Sequence, residues 1–220
     1  MSFNKQILFT AIVLISTIVF FALTSVDIMV QDLFYDKVSQ TWILNRDAEP
    51  YKFIFYDGIK QVVIAIALVC LLSLIFYRLP LIKEYKKGII VIILSAILIP
   101  LVVGGLKKYT NMPCPKNEIH FGGEYPRTAV WESYAKGFQA DSMRCWPAGH
   151  ASGGFALLSF FFLFKSKKNR YRALYIALVV GWSMGVYKML IGDHFLSHTM
   201  ITMILAWLIV LINAKIVYRK

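Results

Sequence analysis

The feature that most constrains this chain is a series of apolar runs, each long enough to cross a lipid bilayer. A helix needs roughly 17–25 mostly apolar residues to span the hydrocarbon core. The sequence predicts six such spans, at residues 6–26, 59–77, 89–106, 148–164, 172–191 and 195–214. Hydrophobic residues make up 58% of the chain, above the usual range of soluble domains. We therefore expect an all-α, polytopic membrane protein with six transmembrane helices.

The first span is predicted to be a retained helix and not a signal peptide. Only Lys5 precedes it as a basic residue, its apolar stretch is long, and no small-residue cleavage pattern follows. The sequence shows no repeat or low-complexity tract that would indicate a second domain. One membrane domain is expected to cover residues 1–220.

The basic residues are divided unequally between the two sides of the membrane. The segments between spans 2 and 3 and between spans 4 and 5, with the two ends of the chain, contain many lysines and arginines but a single acid, Glu84. By the positive-inside rule this face is cytoplasmic. Both termini are then inside, and segments 27–58 and 107–147 lie outside. The net charge of +12 is mainly this topology signal, so no nucleic-acid partner is expected.

The two outer segments differ in composition. Residues 27–58 place Tyr35, Trp42 and Tyr51 among acids, which predicts an amphipathic helix along the interface. Residues 107–147 are rich in proline, glycine and charge, which predicts an irregular lid tied to the helix ends.

Three of the four histidines lie at the outer ends of predicted spans. His150 opens span 4, and His194 and His198 lie at the start of span 6. An ionisable residue at membrane depth is costly and usually functional. Imidazole suits proton transfer and nucleophilic attack near neutral pH. Their common level indicates an active site.

Cations and small residues are expected at the same level. Lys107 ends span 3, and Lys188 lies near the end of span 5. Around Gly149, small residues would let backbone amides at a helix N-terminus approach an anion. The expected ligand is a phosphate group held at the membrane surface.

Three segments resemble, in order and spacing, the signatures of the type 2 phosphatidic acid phosphatase superfamily. Those signatures are Lys-x6-Arg-Pro, then Pro-Ser-Gly-His, then Ser-Arg-x5-His-x3-Asp. The matching segments are Lys107-x6-Cys114-Pro115, Pro147-Ala148-Gly149-His150 and Tyr187-Lys188-x5-His194-x3-His198. The resemblance covers about residues 107–200 and implies an active site at the periplasmic helix ends.

The resemblance also implies the role of each matching residue. His194 corresponds to the nucleophile that forms a phosphohistidine. His150 corresponds to the acid that protonates the leaving oxygen and later activates water. Lys107 and Lys188 correspond to phosphate-binding cations. Neither a metal nor another cofactor is implied.

Several positions depart from the signatures. Lys188 replaces an arginine and keeps the charge but not the planar grip, and Ala148 replaces a serine and still offers its backbone amide. Cys114 and His198 are two further departures.

Cys114 replaces an arginine that grips phosphate with two donors, and Arg144 or Arg127 is the candidate substitute. His198 replaces the aspartate that orients the nucleophile. A neutral His198 can still accept a hydrogen bond from His194 and is expected to act as a third catalytic residue.

Two cysteines, Cys114 and Cys145, lie in the outer segment 107–147. An oxidising compartment permits a disulfide between them, closing a loop of about 30 residues and adding roughly 3 kcal/mol. Two free thiols are the alternative.

The expected function is that of a bacterial inner-membrane lipid phosphatase, a hydrolase acting at the periplasmic leaflet. Its partners would be the bilayer and a phosphorylated membrane lipid carrying a phosphate monoester or diphosphate. Lipid A is favoured, because divergent members of the superfamily include lipid A phosphatases and the outer lid is large. Phosphatidylglycerol phosphate or phosphatidate, and polyprenyl diphosphate, are the other candidates.

Other functions remain open. The same phosphohistidine would serve a lipid-to-lipid phosphotransferase. The spacing His194-x3-His198 also suits a metal-binding membrane protein with His150 or Asp193 as a third ligand, although the nearby lysines would repel a cation. A catalytically inactive lipid-binding relative is a further alternative.

Overall fold

Seven α-helices and one small hairpin account for most of the regular structure in the computed structural model, which describes residues 2–134 and 144–219. The elements in chain order are α1 Phe3–Leu23, α2 Val26–Asp32, β1 Tyr35–Asp36, β2 Thr41–Trp42, α3 Gly58–Ser73, α4 Pro80–Leu106, α5 Gly149–Ala156, α6 Lys167–Leu190 and α7 Leu196–Tyr218. Short π or 3-10 turns add Phe53–Asp57, Leu74–Phe76, Pro115–Asn117, Ile119–Phe121 and Leu157–Phe162.

Five helical segments in the described part of the chain are long and apolar enough to cross a membrane. They are Phe3–Leu23, Phe53–Phe76, Pro80–Leu106, Lys167–Leu190 and Leu196–Tyr218. The expectation of an all-α, multi-pass membrane protein is therefore confirmed. The predicted span 148–164 is not among the five, because α5 ends at Ala156 and a 3-10 turn continues it only to Phe162.

Glycines explain where α5 sits. A Cβ on Gly154 would lie 2.8 Å from the Cα of Gly181 in α6, so the two helix backbones cross at close range. On the next turn of α6, a Cβ on Gly185 would lie 2.2 Å from Thr199 of α7. These close crossings bring together the outer ends of α5, α6 and α7, where the histidines lie.

The buried core runs along these crossings. Its members come from α4, α5, α6 and α7 and include Val91, Ile99, Phe155, Ala177 and Val210. Most of α3, in contrast, faces outward, as do Leu8, Phe9 and Ile15 of α1. Apolar exposure of this kind suits helices that face lipid.

Segment 27–58 does not form the amphipathic helix that its aromatic residues suggested. It contains α2, the hairpin β1–β2 and a π turn that leads into α3. The Asp36 Oδ1 atom accepts hydrogen bonds from the backbone N–H groups of Val38 and Ser39, which stabilises a turn instead of a helix. Trp42 then packs against Tyr35 and Phe121, with ring centroids 4.8 and 5.3 Å away.

Residues 107–134 and 144–147, the described part of the outer segment after α4, are irregular, as their composition predicts, apart from two 3-10 turns within residues 115–121. The rest of the predicted lid lies outside the described residues. The side chains of Cys114 and Cys145 are joined as a disulfide, so residues before α5 are tied to those after α4. Thr110 also donates a 2.8 Å hydrogen bond to the Trp146 carbonyl. Both ends of this segment are thereby held at the outer end of α5.

Candidate active site

The tight turn 191–195 between α6 and α7 carries His194. The backbone N–H groups of Asp193 and His194 both donate to the Lys188 carbonyl, at 2.8 and 3.2 Å. Gly192 adopts φ 73°, and a Cβ there would lie 2.3 Å from the Trp42 ring. Only glycine suits this position, because it combines a left-handed backbone with a close aromatic neighbour.

The imidazoles of His194 and His198 contact each other through their Nδ1 atoms, which are 3.3 Å apart. Both rings are buried. One Nδ1 must donate and the other must accept, because two N–H groups would repel. If His194 donates, its Nε2 keeps a free lone pair and can attack an electrophile. His198 then carries its proton on Nε2. This atom is buried near the Cys145 backbone but makes no well-formed hydrogen bond to it.

The charge state of His194 suits a nucleophile. Burial, followed by the neighbouring His198 and by Lys107, holds the pKa of His194 well below its ordinary value. The ring is therefore neutral at physiological pH. A neutral imidazole offers the lone pair that nucleophilic attack requires.

His150 lies in the first turn of α5 and faces the same space. Its ring centroid is 6.3 Å from that of His194, so an atom bound between the two rings is within reach of both. The Nε2 atom of His150 is 2.8 Å from the hydroxyl oxygen of Tyr56. Tyr56 belongs to the π turn Phe53–Asp57, and such turns are frequent at functional sites.

Lys107 reaches the N-terminus of α5 because Gly149 leaves room for it. A Cβ on Gly149 would lie 3.1 Å from Cε and 3.2 Å from Nζ of Lys107. Burial, with a smaller contribution from Lys188, lowers the pKa of Lys107 against the opposing effect of Asp193. The amine and the helix N-terminus together form a site suited to an anion.

Asp193 lies among three cations. Its carboxylate accepts hydrogen bonds from Lys188 at 2.9 Å and Lys116 at 2.8 Å, and Arg46 is 3.7 Å away. Burial raises the pKa of Asp193, but the bonds from Lys116 and Lys188 outweigh it and hold that pKa below its ordinary value. One carboxylate balances only part of this charge, so the cluster keeps a positive surplus that favours an anion.

Lys188 also contacts Tyr56. Its Nζ atom is 4.6 Å from the centroid of the Tyr56 ring, within cation–π range. Tyr56 therefore contacts both a histidine and a lysine of the cluster. Its ring and hydroxyl link the start of α3 to the ends of α5 and α6.

The structure brings together most of the residues that the sequence singled out. His150, His194, His198, Lys107, Lys188 and Gly149 lie around one space. Arg127 instead has its Nη2 4.0 Å from the Asp27 carboxylate and its guanidinium 5.7 Å from the centroid of Phe195. Arg144 is exposed and precedes Cys145 in the chain.

The sequence did not indicate Tyr56, Lys116, Arg46 or Asp27 as site residues. Tyr56 is 94 positions from His150, and Asp27 is 170 positions from Ser197, so no local motif joins either pair. The sequence indicated Asp193 only as a possible metal ligand. Its position next to His194 is the sequence feature that could have indicated a structural role for Asp193 in the site.

The arrangement of the histidines bears on the metal-binding alternative. The two histidines with metal-ligand spacing direct their Nδ1 atoms at each other. Among the residues that the structure describes, no group of three or more His, Cys, Asp or Glu side chains is arranged to hold a metal ion.

An apolar cavity of about 300 Å³ adjoins His150 and extends between α3, α4 and α5. It is lined by Tyr56, Lys60, Val63, Pro100, His150 and Met184, among others. Its polar lining residues are Tyr56, Lys60, His150 and Ser152, and the rest of the wall is apolar. A cavity of this composition suits a hydrocarbon chain whose polar end is at the histidines.

The signature residues of this cluster all lie within α4 or after it. A family model described as the PAP2 superfamily matches residues 87–220. No curated protein and no solved structure matches the chain. The family match covers more than half of the chain and every residue that carried the resemblance to the phosphatase signatures. The chain therefore belongs to the PAP2 superfamily.

Proposed function

We propose that this chain is a membrane lipid phosphatase that removes a phosphate monoester or diphosphate group from an amphiphilic lipid. Members of the PAP2 superfamily are phosphatases, which supports a phosphoric ester hydrolase. The apolar cavity beside His150 supports a substrate with a hydrocarbon tail. Lipid A is the first candidate, followed by phosphatidylglycerol phosphate or phosphatidate, and by polyprenyl diphosphate.

The observation that carries this proposal is the pairing of His194 with His198 opposite His150 and two lysines. In the proposed first step, Nε2 of His194 attacks phosphorus while the bond to the leaving oxygen breaks. Burial and the charges of Lys188 and Lys107 lower the pKa of His150 to about 4, so its Nε2 takes up the proton that a monoanionic phosphate ester brings into the site. That proton passes to the leaving oxygen, and a phosphohistidine remains. Lys107 and Lys188 stabilise the charge on the phosphoryl oxygens, an effect that can contribute about 3 kcal/mol per donor.

In the proposed second step, water attacks the phosphohistidine. His150, now neutral, takes a proton from the water as its oxygen bonds to phosphorus. The bond between phosphorus and His194 breaks, inorganic phosphate leaves, and both rings return to their starting state. No metal or other cofactor takes part in this proposal.

The proposed location is the inner membrane of a Gram-negative bacterium, with both termini cytoplasmic and the site at the periplasmic leaflet. The charge distribution supports this orientation, because the helix ends opposite the histidines carry basic residues with little acidic compensation. The disulfide between Cys114 and Cys145 also suits an oxidising compartment.

The test is phosphate release from a lipid panel by the purified protein in detergent, with and without EDTA. The panel contains lipid A, phosphatidylglycerol phosphate, phosphatidate and a polyprenyl diphosphate. We expect release that EDTA does not abolish. His194→Ala should lower turnover by several orders of magnitude, because it removes the nucleophile.

His120→Ala is the matched control for this test, since His120 bonds Asp32 outside the cluster. It should keep the wild-type rate. Turnover of His194→Ala within about tenfold of wild type would assign the nucleophile to another residue. Transfer of phosphate to a second lipid without release would favour the phosphotransferase.

A further inference from the structure

Two polar side chains of α2 are completely buried. Asp27 and Gln31 are four residues apart, so they lie on the same face of the helix. Both have 0% exposure. Burial of a carboxylate or an amide is costly unless hydrogen bonds replace its contacts with water. The partners of these two residues therefore indicate what this face of α2 does.

Asp27 binds the first turn of α7. One carboxylate oxygen accepts from the backbone N–H of Ser197 at 2.9 Å, and the other accepts from the Ser197 hydroxyl at 2.5 Å. The residue at the N-cap of α7 is Phe195, whose side chain offers no acceptor. Asp27 thus supplies, from another helix, the cap for this N-terminus. Burial raises the pKa of its carboxyl, against the opposing effects of the Ser197 bonds and of Arg127.

Gln31 binds the last turn of α6. Its Nε2 atom donates a 2.7 Å hydrogen bond to the backbone carbonyl of Met189. Helix α6 ends at Leu190, so this carbonyl lacks a partner within the helix. It accepts from Gln31 and, at 3.1 Å, from the N–H of Gly192 in the following turn. The same face of α2 therefore holds the end of α6 and the start of α7.

The turn 191–195 lies between these two points and carries His194. The following segment supports the same turn, since the N–H of Leu44 donates to the Leu190 carbonyl at 3.3 Å and Trp42 packs on Gly192. All of these supporting residues precede residue 87, where the family match begins. The part of the chain before the match thus supports the turn in addition to Lys188 and Lys116, which bond it from within the matched region.

We propose that α2 positions the nucleophile, with Asp27 and Gln31 as positioning residues that fix the turn carrying His194. This inference deepens the proposed phosphatase function and rests on it. Neither side chain touches the space between the histidines; each acts through the backbone of α6 or α7. Such support matters because a 1 Å misplacement of a reacting group can cost about 10²-fold in rate.

The main test compares Asp27→Asn with Asp32→Asn in full-length protein. Asparagine at 27 keeps an acceptor for the Ser197 N–H but loses the charge and places an amide against the Ser197 hydroxyl. We expect kcat for phosphate release to fall by about tenfold to 10²-fold. KM and inhibition by inorganic phosphate should stay within about twofold, because Lys107 and Lys188 are untouched.

Asp32→Asn removes the same charge from the same helix and is the matched control. Asp32 bonds Lys37 and His120 and does not contact the turn. Its kcat should equal that of wild type. Equal kcat values for Asp27→Asn and Asp32→Asn, or a rise in KM without a fall in kcat, would overturn the inference.

A double-mutant cycle shows whether Asp27 acts through Ser197. Ser197→Ala removes the hydroxyl that Asp27 accepts from, so the effects of Asp27→Asn and Ser197→Ala on kcat should not multiply. Fully multiplicative effects would contradict the proposed route.

If Asp27→Asn does not fold, Gln31→Met and Ser197→Ala decide the question. Gln31→Met keeps the side-chain length but loses the donor to Met189. Each should lower kcat with little change in KM, and wild-type kcat in both would overturn the inference. Lack of phosphate release by the wild-type protein from every lipid would instead reject the proposed function.

Discussion

The imidazole of His194 in the turn 191–195 and that of His198 in α7 leave room for a single proton between their Nδ1 atoms. An aspartate in place of His198 would accept the same hydrogen bond and would also carry a negative charge. His198 supplies the acceptor without the charge. The proposed nucleophile, His194, is therefore oriented by geometry more than by charge.

Tyr56 places its hydroxyl at the atom of His150 that would have to meet the leaving oxygen. The hydroxyl must move when substrate binds, and breaking its hydrogen bond costs about 1 kcal/mol. Tyr56→Phe should therefore lower KM for the lipid by about fivefold and keep kcat within about twofold. Steady-state kinetics of phosphate release in mixed micelles measure both.

Tyr187→Phe is the control for this prediction, because its hydroxyl donates to the Arg46 carbonyl and touches no histidine. It should leave KM unchanged. A lower kcat with unchanged KM for Tyr56→Phe would show that Tyr56 orients His150 and does not compete with substrate.

The single residues with the strongest sequence signals were the easiest to place. His150, His194 and the two lysines could be assigned to one site because they match the spacings of the phosphatase signatures at the ends of apolar spans. Tyr56 and Asp27 could not be, because their partners are 94 and 170 positions away and only the folded chain brings them together.

The disulfide ties the segment after α4 to the start of α5. It joins residues 31 positions apart. Closing such a loop lowers the entropy of the unfolded chain and stabilises the folded protein by roughly 3 kcal/mol. The variant with Cys114→Ser and Cys145→Ser should unfold at a lower temperature by several degrees. Thermal unfolding of both proteins in the same detergent measures the difference.

Cys70→Ser is the control, since Cys70 is a free thiol in α3. It should unfold at the wild-type temperature. Alkylation of Cys114 and Cys145 in unreduced wild-type protein would contradict the disulfide directly.

The membrane helices followed from the length of the apolar runs, because the bilayer itself sets that length. Residues 27–58 were harder to predict. Their aromatic and acidic residues suggested an interfacial helix, but Trp42 packs on Gly192 and Asp27 binds Ser197, both far along the chain. The fourth predicted span was not confirmed, because α5 ends at Ala156 and continues only as a 3-10 turn to Phe162.

Glu118 makes the stability of the whole protein depend on pH. Burial, opposed by the charges of Arg127 and His120, raises its pKa from 4.5 to about 7. Between these two values the folded protein keeps the proton and the unfolded chain has lost it. The free energy of unfolding therefore falls as pH rises through this range.

Glu118→Gln should remove this pH-dependent fall in the free energy of unfolding. The variant should gain thermal stability relative to wild type as pH rises from about 5 to about 8, with the largest difference at the alkaline end. Unfolding temperatures of both proteins across this range give the comparison. Glu124→Gln, which alters an exposed acid in the same segment, should follow the wild-type curve. A constant difference between Glu118→Gln and wild type would show that Glu118 does not titrate in this range.

The apolar cavity beside His150 implies that the relevant substrate concentration is the one within the bilayer or micelle. A lipid whose tail fills this cavity reaches the histidines by lateral diffusion within the bilayer or micelle. Turnover should then follow the mole fraction of substrate at the surface and not its molarity in the bulk solution. Inert detergent added at fixed total substrate lowers the mole fraction of substrate at the surface and should slow the reaction. If the rate is plotted against bulk substrate concentration, this dilution looks like inhibition by the detergent.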